Sequence, residues 1–171
     1  MTISADFALT SSGTMIQNDL AAVQSDVWNG SSTDLPSTVF SFTDGVAVDQ
    51  ANKWYRAKRT LAPGNDDLNL AGGLTAPITG AALTFTAIKS ILMAVYSPDG
   101  TKLLRVGPAA VANPFIGPFK GTNPYVDVPY MLHLINPSAA GWSVTAGTGD
   151  ILRITNPGAT SVDYAIWIIG I

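Results

Sequence analysis

Hydrophobic residues recur along this chain with a period of two, the mark of strands rather than helices. In "LTFTAIKSILMAVYS", Leu83 and Phe85 alternate with Thr84 and Thr86. Lys89 and Ser90 interrupt the pattern. Ile91 to Tyr96 then run apolar throughout, as a strand buried on both faces does. Ser97-Pro98-Asp99-Gly100 has proline and glycine at the positions a tight turn favours, and "KLLRVG" returns. Residues 82–107 are therefore predicted to form a β-hairpin. "YVDVPYMLHLIN" sets Val126, Val128, Tyr130, Leu132 and Leu134 against Tyr125, Asp127, Pro129, Met131 and His133. That is a half-buried strand in which Pro129 marks an edge or a bulge. "WSVT", "DILRITN" and "SVDYAIWIIGI" follow, separated by turns, at the spacing of about 8–12 residues that favours a sandwich or barrel over an α/β fold.

The last of these segments poses a question. Tyr164, Ile166 and Ile168 stand on one face, and Ala165, Trp167, Ile169 and Ile171 on the other. One apolar face can fill the core, but the second needs another cover.

Upstream, "GVAVDQANKWYRAKRTLAPGNDDLNLAGGL" reads as a long strand, a Pro-Gly turn and a short strand stopped by glycines. Residues 1–45 differ in character. "ISADFAL" and "VFSFTDG" read as strands, "NGSSTDLPST" as a loop, and Ile16, Leu20, Val23 and Val27 fit the stripe of a short helix. The expected organisation is an N-terminal arm or added subdomain over 1–45 and a β-sandwich domain over 46–171.

Composition sharpens this picture. Only 12% of residues are charged, against about 25% in a typical domain. All twelve acids are aspartates, which favour turns, while glutamate, a helix-surface residue, is absent. With 47% hydrophobic residues, a surface this poor in charge exposes apolar area, and such surfaces meet partners. The net charge of −3 argues against general nucleic-acid binding. No apolar run approaches the roughly 20 residues of a membrane helix. The first residues lack the basic and apolar regions of a secretory signal, so the expectation is a soluble protein made in the cytoplasm.

Candidate chemistry is sparse. There is no cysteine for a disulfide or a thiolate metal site. The single histidine, His133, lies in an alternating strand with no metal-ligand spacing around it and reads as a solvent or subunit contact. No nucleophile sits in a GxSxG context, and no spacing singles out a carboxylate pair. "GNDDLNLAGG" lacks the ligand order of a calcium loop and reads as a turn and strand. "AGTGD" leads into a strand, so its glycines do not cradle phosphate. No catalytic residue, cofactor or metal is expected. The densest polar feature is "KWYRAKR", with Lys53, Tyr55 and Arg59 on one side and Trp54, Arg56 and Lys58 on the other. It suits a subunit interface, a solvated edge strand, or a clamp for a single nucleic-acid strand.

Four segments carry a resemblance: "RTLAPGNDDLNLAGGL", "LTFTAIKSILM", "LLRVGPA" and "GWSVTAGTGDILRITNPGATSVDYAIWIIGI". Over Trp54 to Ile171, about two-thirds of the chain, they resemble a group of small virion proteins of tailed bacteriophages and prophages. The shared motifs are turns and core strands rather than catalytic residues. The resemblance implies a mostly β protein, a jelly-roll-like antiparallel β-sandwich with an N-terminal arm. It implies a non-enzymatic capsid decoration or cement protein on the virion surface, a homotrimer whose partner is the major capsid protein, with no nucleic acid and no membrane. The residues expected to make the contacts are Trp54, Tyr55, Arg56, Arg59, Trp167 and Ile169. The alternatives are a tail tube or head–tail completion protein and, from another class, a glycan-binding virion module using Trp28, Trp142 or Tyr125.

Overall fold

The computed structural model describes residues 5–7, 40–77, 79–96, 102–108, 112–119, 121 and 124–171. The chain divides into two units, Met1–Asp44 and Gly45–Ile171. In the first, β1 (Ala5–Phe7) pairs antiparallel with β2 (Phe40–Phe42). The helical stripe at Ile16 to Val27, Trp28, and the turn at Ser97 to Gly100 lie outside the described residues.

The second unit is an antiparallel β-sandwich, as the period-two pattern predicts. Sheet one is ordered β10 (Met131–Ile135), β7 (Ala87–Tyr96), β13 (Val162–Gly170), β3 (Lys53–Leu61), with β11 (Trp142–Ser143) also on β7. Sheet two is ordered β4 (Gly64–Asn69), β12 (Ile151–Asn156), β8 (Leu104–Pro108), β9 (Val126–Val128). A small ribbon pairs β5 (Ala71–Thr75) with β6 (Ala82–Thr84). Apart from the two-residue β11, the two large sheets hold eight strands, of which the first pairs with the eighth, the second with the seventh, the third with the sixth and the fourth with the fifth. Such pairing is that of one long hairpin wound over two layers.

The core lies between the layers. Ile91 and Met93 of β7 and Tyr164, Ile166 and Ile168 of β13 meet Leu104 and Val106 of β8 and Leu152 and Ile154 of β12 in one buried cluster. Each side chain of this size contributes about 1.5–3 kcal/mol on burial. Asn156 faces the same interior, and its amide is satisfied by the carbonyls of Leu61 and Thr160, both at 2.9 Å.

Two expectations are corrected. Residues 82–107 do not form a hairpin: both edges of β7 are taken, by β13 and β10, so the chain crosses to the other layer and β8 pairs there with β12 and β9. "YVDVPYMLHLI" is two strands rather than one. Pro129 cannot donate to a ladder, and the break at Pro129-Tyr130 sends β9 to sheet two and β10 to sheet one.

The interruption at Lys89 is a β-bulge. Ile169 pairs with Ser90 but Gly170 pairs with Ile88, which leaves Lys89 as the extra residue. Its side chain is fully buried. The ammonium donates to the carbonyls of Ser138 and Ala139, with the Ala47 carbonyl at 3.5 Å, and so clamps two loops. Lys89→Met is expected to cost about 1–3 kcal/mol by leaving those carbonyls unpaired. The check is the urea midpoint at unchanged m-value; an unmoved midpoint would remove the clamp from this account.

Candidate functional site

The outer faces of the two sheets are built differently. On sheet two, cross-strand pairing places Asp67 beside Arg153, Asn65 beside Thr155, and Arg105 beside Asp127. Arg153 grips Asp67 with two bonds of 2.7 Å, Arg105 reaches Asp127 at 2.9 Å, and Thr155 donates to Asn65 at 2.8 Å. The bonds from Arg153 hold the Asp67 carboxyl below the ordinary carboxylate range. Every arginine there has its aspartate, as suits a surface that faces water.

Sheet one is the opposite. Its two doubly apolar strands, β7 and β13, lie side by side, so their outward residues merge. Trp167 pairs with Leu92 on one side and Arg56 on the other, Ala165 with Ala94 and Lys58, and Ile169 with Ser90 and Trp54. Beyond β7, β10 adds Met131, His133 and Ile135. Tyr96 is 49% exposed and Met131 52%, while Ile169 is only 3% exposed. Among the described residues, Arg56 and Lys58 have no carboxylate partner. Instead the Arg56 guanidinium lies 5.7 Å from the centroid of the Trp54 ring, and the Lys58 ammonium reaches across Ala165 to lie 5.3 Å from that of Tyr96. Arg56, Lys58, Tyr96 and Trp167 surround a shallow cleft of about 300 Å³.

The six residues expected to make contacts divide between the two sides of sheet one. Trp54, Arg56, Trp167 and Ile169 share the outer face. Tyr55 and Arg59 turn inward. Arg59 binds both oxygens of Asp66 on β4, at 2.9 and 2.8 Å, and also the Tyr55 hydroxyl at 3.0 Å. Tyr164, fully buried on β13, donates to Asp66 at 2.6 Å. Burial, then the bond to Asp66, pushes the Tyr164 phenol well above its ordinary range. Arg59 is raised despite its burial, by its bonds to Asp66 and Tyr55. This network joins the two sheets where β3 turns into β4. The adjacent acids of "NDD" thus serve opposite faces, Asp66 inward to Arg59 and Asp67 outward to Arg153. Among the described residues no group of three His, Asp, Glu or Cys side chains could hold a metal ion.

His133 and Ser90 form a pair the sequence did not announce, Nε2 to Oγ at 3.0 Å. Ser90 is only 3% exposed, so its hydroxyl ties β7 to β10 instead of meeting a substrate. Burial holds His133 below the ordinary histidine range. The unfolded chain then takes up a proton that the folded chain resists, so stability rises with pH from the lowered value to 6.5 and is level above. His133→Gln is expected to flatten that slope, read from urea midpoints across about pH 5–8; an unchanged slope would assign it to another group.

Tyr96, Leu92 and Met131 were missed as site residues because they come from strands distant in the chain. The available signal was the doubly apolar run Ile91 to Tyr96, which matches that of β13. Of the aromatics considered as sugar platforms, Trp142 packs half-buried against the core, whereas Tyr125 is 53% exposed beside Arg105. No helix among the described residues is long and apolar enough to cross a membrane. Comparison with protein families, with curated proteins and with solved structures finds no match to this chain.

Proposed function

We propose that this is a non-catalytic structural protein of a tailed-phage virion, a capsid decoration protein that trimerises through the outer face of sheet one and binds the major capsid protein on the shell surface. The observation that carries the reading is the contrast between the two outer faces. One has its charges paired internally. The other is an apolar and aromatic plate whose cations, Arg56 and Lys58, lie over aromatic rings and have no carboxylate partner among the described residues, its one acid, Asp163, being bonded to Thr60. Aromatic residues and arginine on an apolar centre are the composition of interface cores. Ala165 and Ile169 on the second face of "YAIWIIGI" are already buried within the chain, and a sister copy would cover what stays open there, chiefly Trp167 with Tyr96 and Met131 beside it.

Two further points support the reading. The strand order, first-eighth-third-sixth over second-seventh-fourth-fifth, is compatible with a jelly-roll-like sandwich. The turn and strand motifs from Trp54 to Ile171 resemble those of small phage virion proteins. Mixing the protein with undecorated tailed-phage shells and pelleting them tests the proposal. Saturable co-sedimentation is expected. Shells that pellet bare, or protein that polymerises alone into rings of six, would point to a tail location instead.

A further inference from the structure

We propose that the cleft on the outer face of sheet two, lined by Asn65, Arg105, Tyr125, Arg153 and Thr155, is a subsite for a neutral carbohydrate. This goes beyond the capsid reading and does not depend on it.

The cleft measures about 210 Å³. It lies below the roughly 300–1,000 Å³ of sites for drug-sized ligands, a scale that suits a single sugar ring. Gly107 shapes it. This residue pairs with Arg153, and a Cβ there would stand 2.5 Å from the Pro124 carbonyl and 3.1 Å from the Tyr125 Cα. Only a residue without a side chain lets the 124–125 segment descend onto the sheet and bring Tyr125 to the cleft. The Arg105 guanidinium, 4.4 Å from the Tyr125 ring centroid, steadies a ring that remains 53% exposed.

The polar groups are fixed but not exhausted. Arg105 uses its Nε for Asp127, and Arg153 uses Nε and Nη2 for Asp67. Guanidinium carries five N–H donors. Among the described residues the Nη groups of Arg105 and Nη1 of Arg153 have no acceptor, and the Asn65 amide nitrogen has none either. Rigid donors thus border the cleft, with the Asp67 and Asp127 carboxylates as neighbouring acceptors.

Charge selects the ligand class. The two arginines are balanced by the two aspartates. An anion would have to compete with carboxylates already in place and would gain no net field. A sugar needs donors and acceptors in close alternation for its hydroxyls and an aromatic surface for its C–H face, and this cleft supplies both. The cleft is also on the side of the sandwich away from the plate on sheet one, so docking there leaves it open.

The test is a titration of the ¹⁵N-labelled full chain with the methyl glycosides of glucose, galactose, mannose and N-acetylglucosamine, with sodium sulfate as the anion. Saturable shifts at the Nε of Arg105 and Arg153 and at the Gly107 and Tyr125 amides are expected with at least one sugar, at about millimolar affinity. Tyr125→Ala and Arg105→Ala should each weaken that binding at least roughly tenfold, the loss of one anchoring contact. Tyr130→Ala, which removes an equally exposed ring outside the cleft, should leave it unchanged. No saturable shift with any sugar, shifts with sulfate alone, or sugar binding that survives in both cleft variants would overturn the proposal.

Discussion

Asp66→Ala is expected to destabilise the protein by about 2–4 kcal/mol, while Asp127→Ala, which also removes the partner of an arginine, should cost less than about 1 kcal/mol. The two carboxylates differ in their surroundings. Asp66 has a side-chain exposure of 20% and accepts from Arg59 and from the fully buried Tyr164. Its removal leaves the Tyr164 hydroxyl without its acceptor inside the sandwich and takes from Arg59 the carboxylate that ties β3 to β4. Arg59 and Arg105 are similarly exposed, at 36% and 38%, but Asp127 is 46% exposed and has no buried donor, so water replaces the lost bond. Tyr164→Phe should fall between, because it removes one donor and leaves Arg59–Asp66 intact. Urea unfolding of the three variants checks the order. Equal losses for Asp66→Ala and Asp127→Ala would mean that the network does not hold the layers together.

Trp167→Asp is expected to abolish self-association while leaving the monomer folded. Trp167 is central in the plate, between Leu92 and Arg56, and only half-buried within its own chain. Truncating a central aromatic anchor of an interface commonly costs about 2–4 kcal/mol, or roughly 30- to 700-fold in affinity at tenfold per 1.4 kcal/mol. A buried carboxylate adds its desolvation. Arg56→Glu, more exposed and on the same row, gives an independent variant with little risk to the fold. Arg153→Ala, on the other sheet, should not alter association. Circular dichroism confirms folding and sedimentation velocity reads the state. Association that survives both Trp167→Asp and Arg56→Glu would move the interface elsewhere.

The legibility of this fold in its sequence follows from what alternation does and does not encode. Period two identified the strands and separated Tyr55 and Arg59 from Trp54, Arg56 and Lys58. Alternation does not say which side is the interior. That was settled by Asp66, which draws Arg59 inward from the next strand. A Pro-Asp-Gly turn signals a reversal but not the layer in which the returning strand lands, so 82–107 read as a hairpin although β7 has no free edge. Pro129 was legible as a defect, yet its consequence, a crossing between sheets, depends on pairing with β8 and β7. The plate on sheet one was half visible: "ILMAVY" and "YAIWIIGI" each advertise a second apolar face, but only the register makes them neighbours. The Ser90–His133 pair and the cleft at Gly107 arise from cross-strand placement alone and leave no local signature.

The most direct test of the central claim, that a sister copy covers the outer face of sheet one, is the sedimentation-equilibrium mass of the purified protein. The account predicts about three times the chain mass of 17.8 kDa, falling to one chain mass in Trp167→Asp. A wild-type mass of 17.8 kDa at every concentration would contradict it and leave that plate to a partner other than this chain.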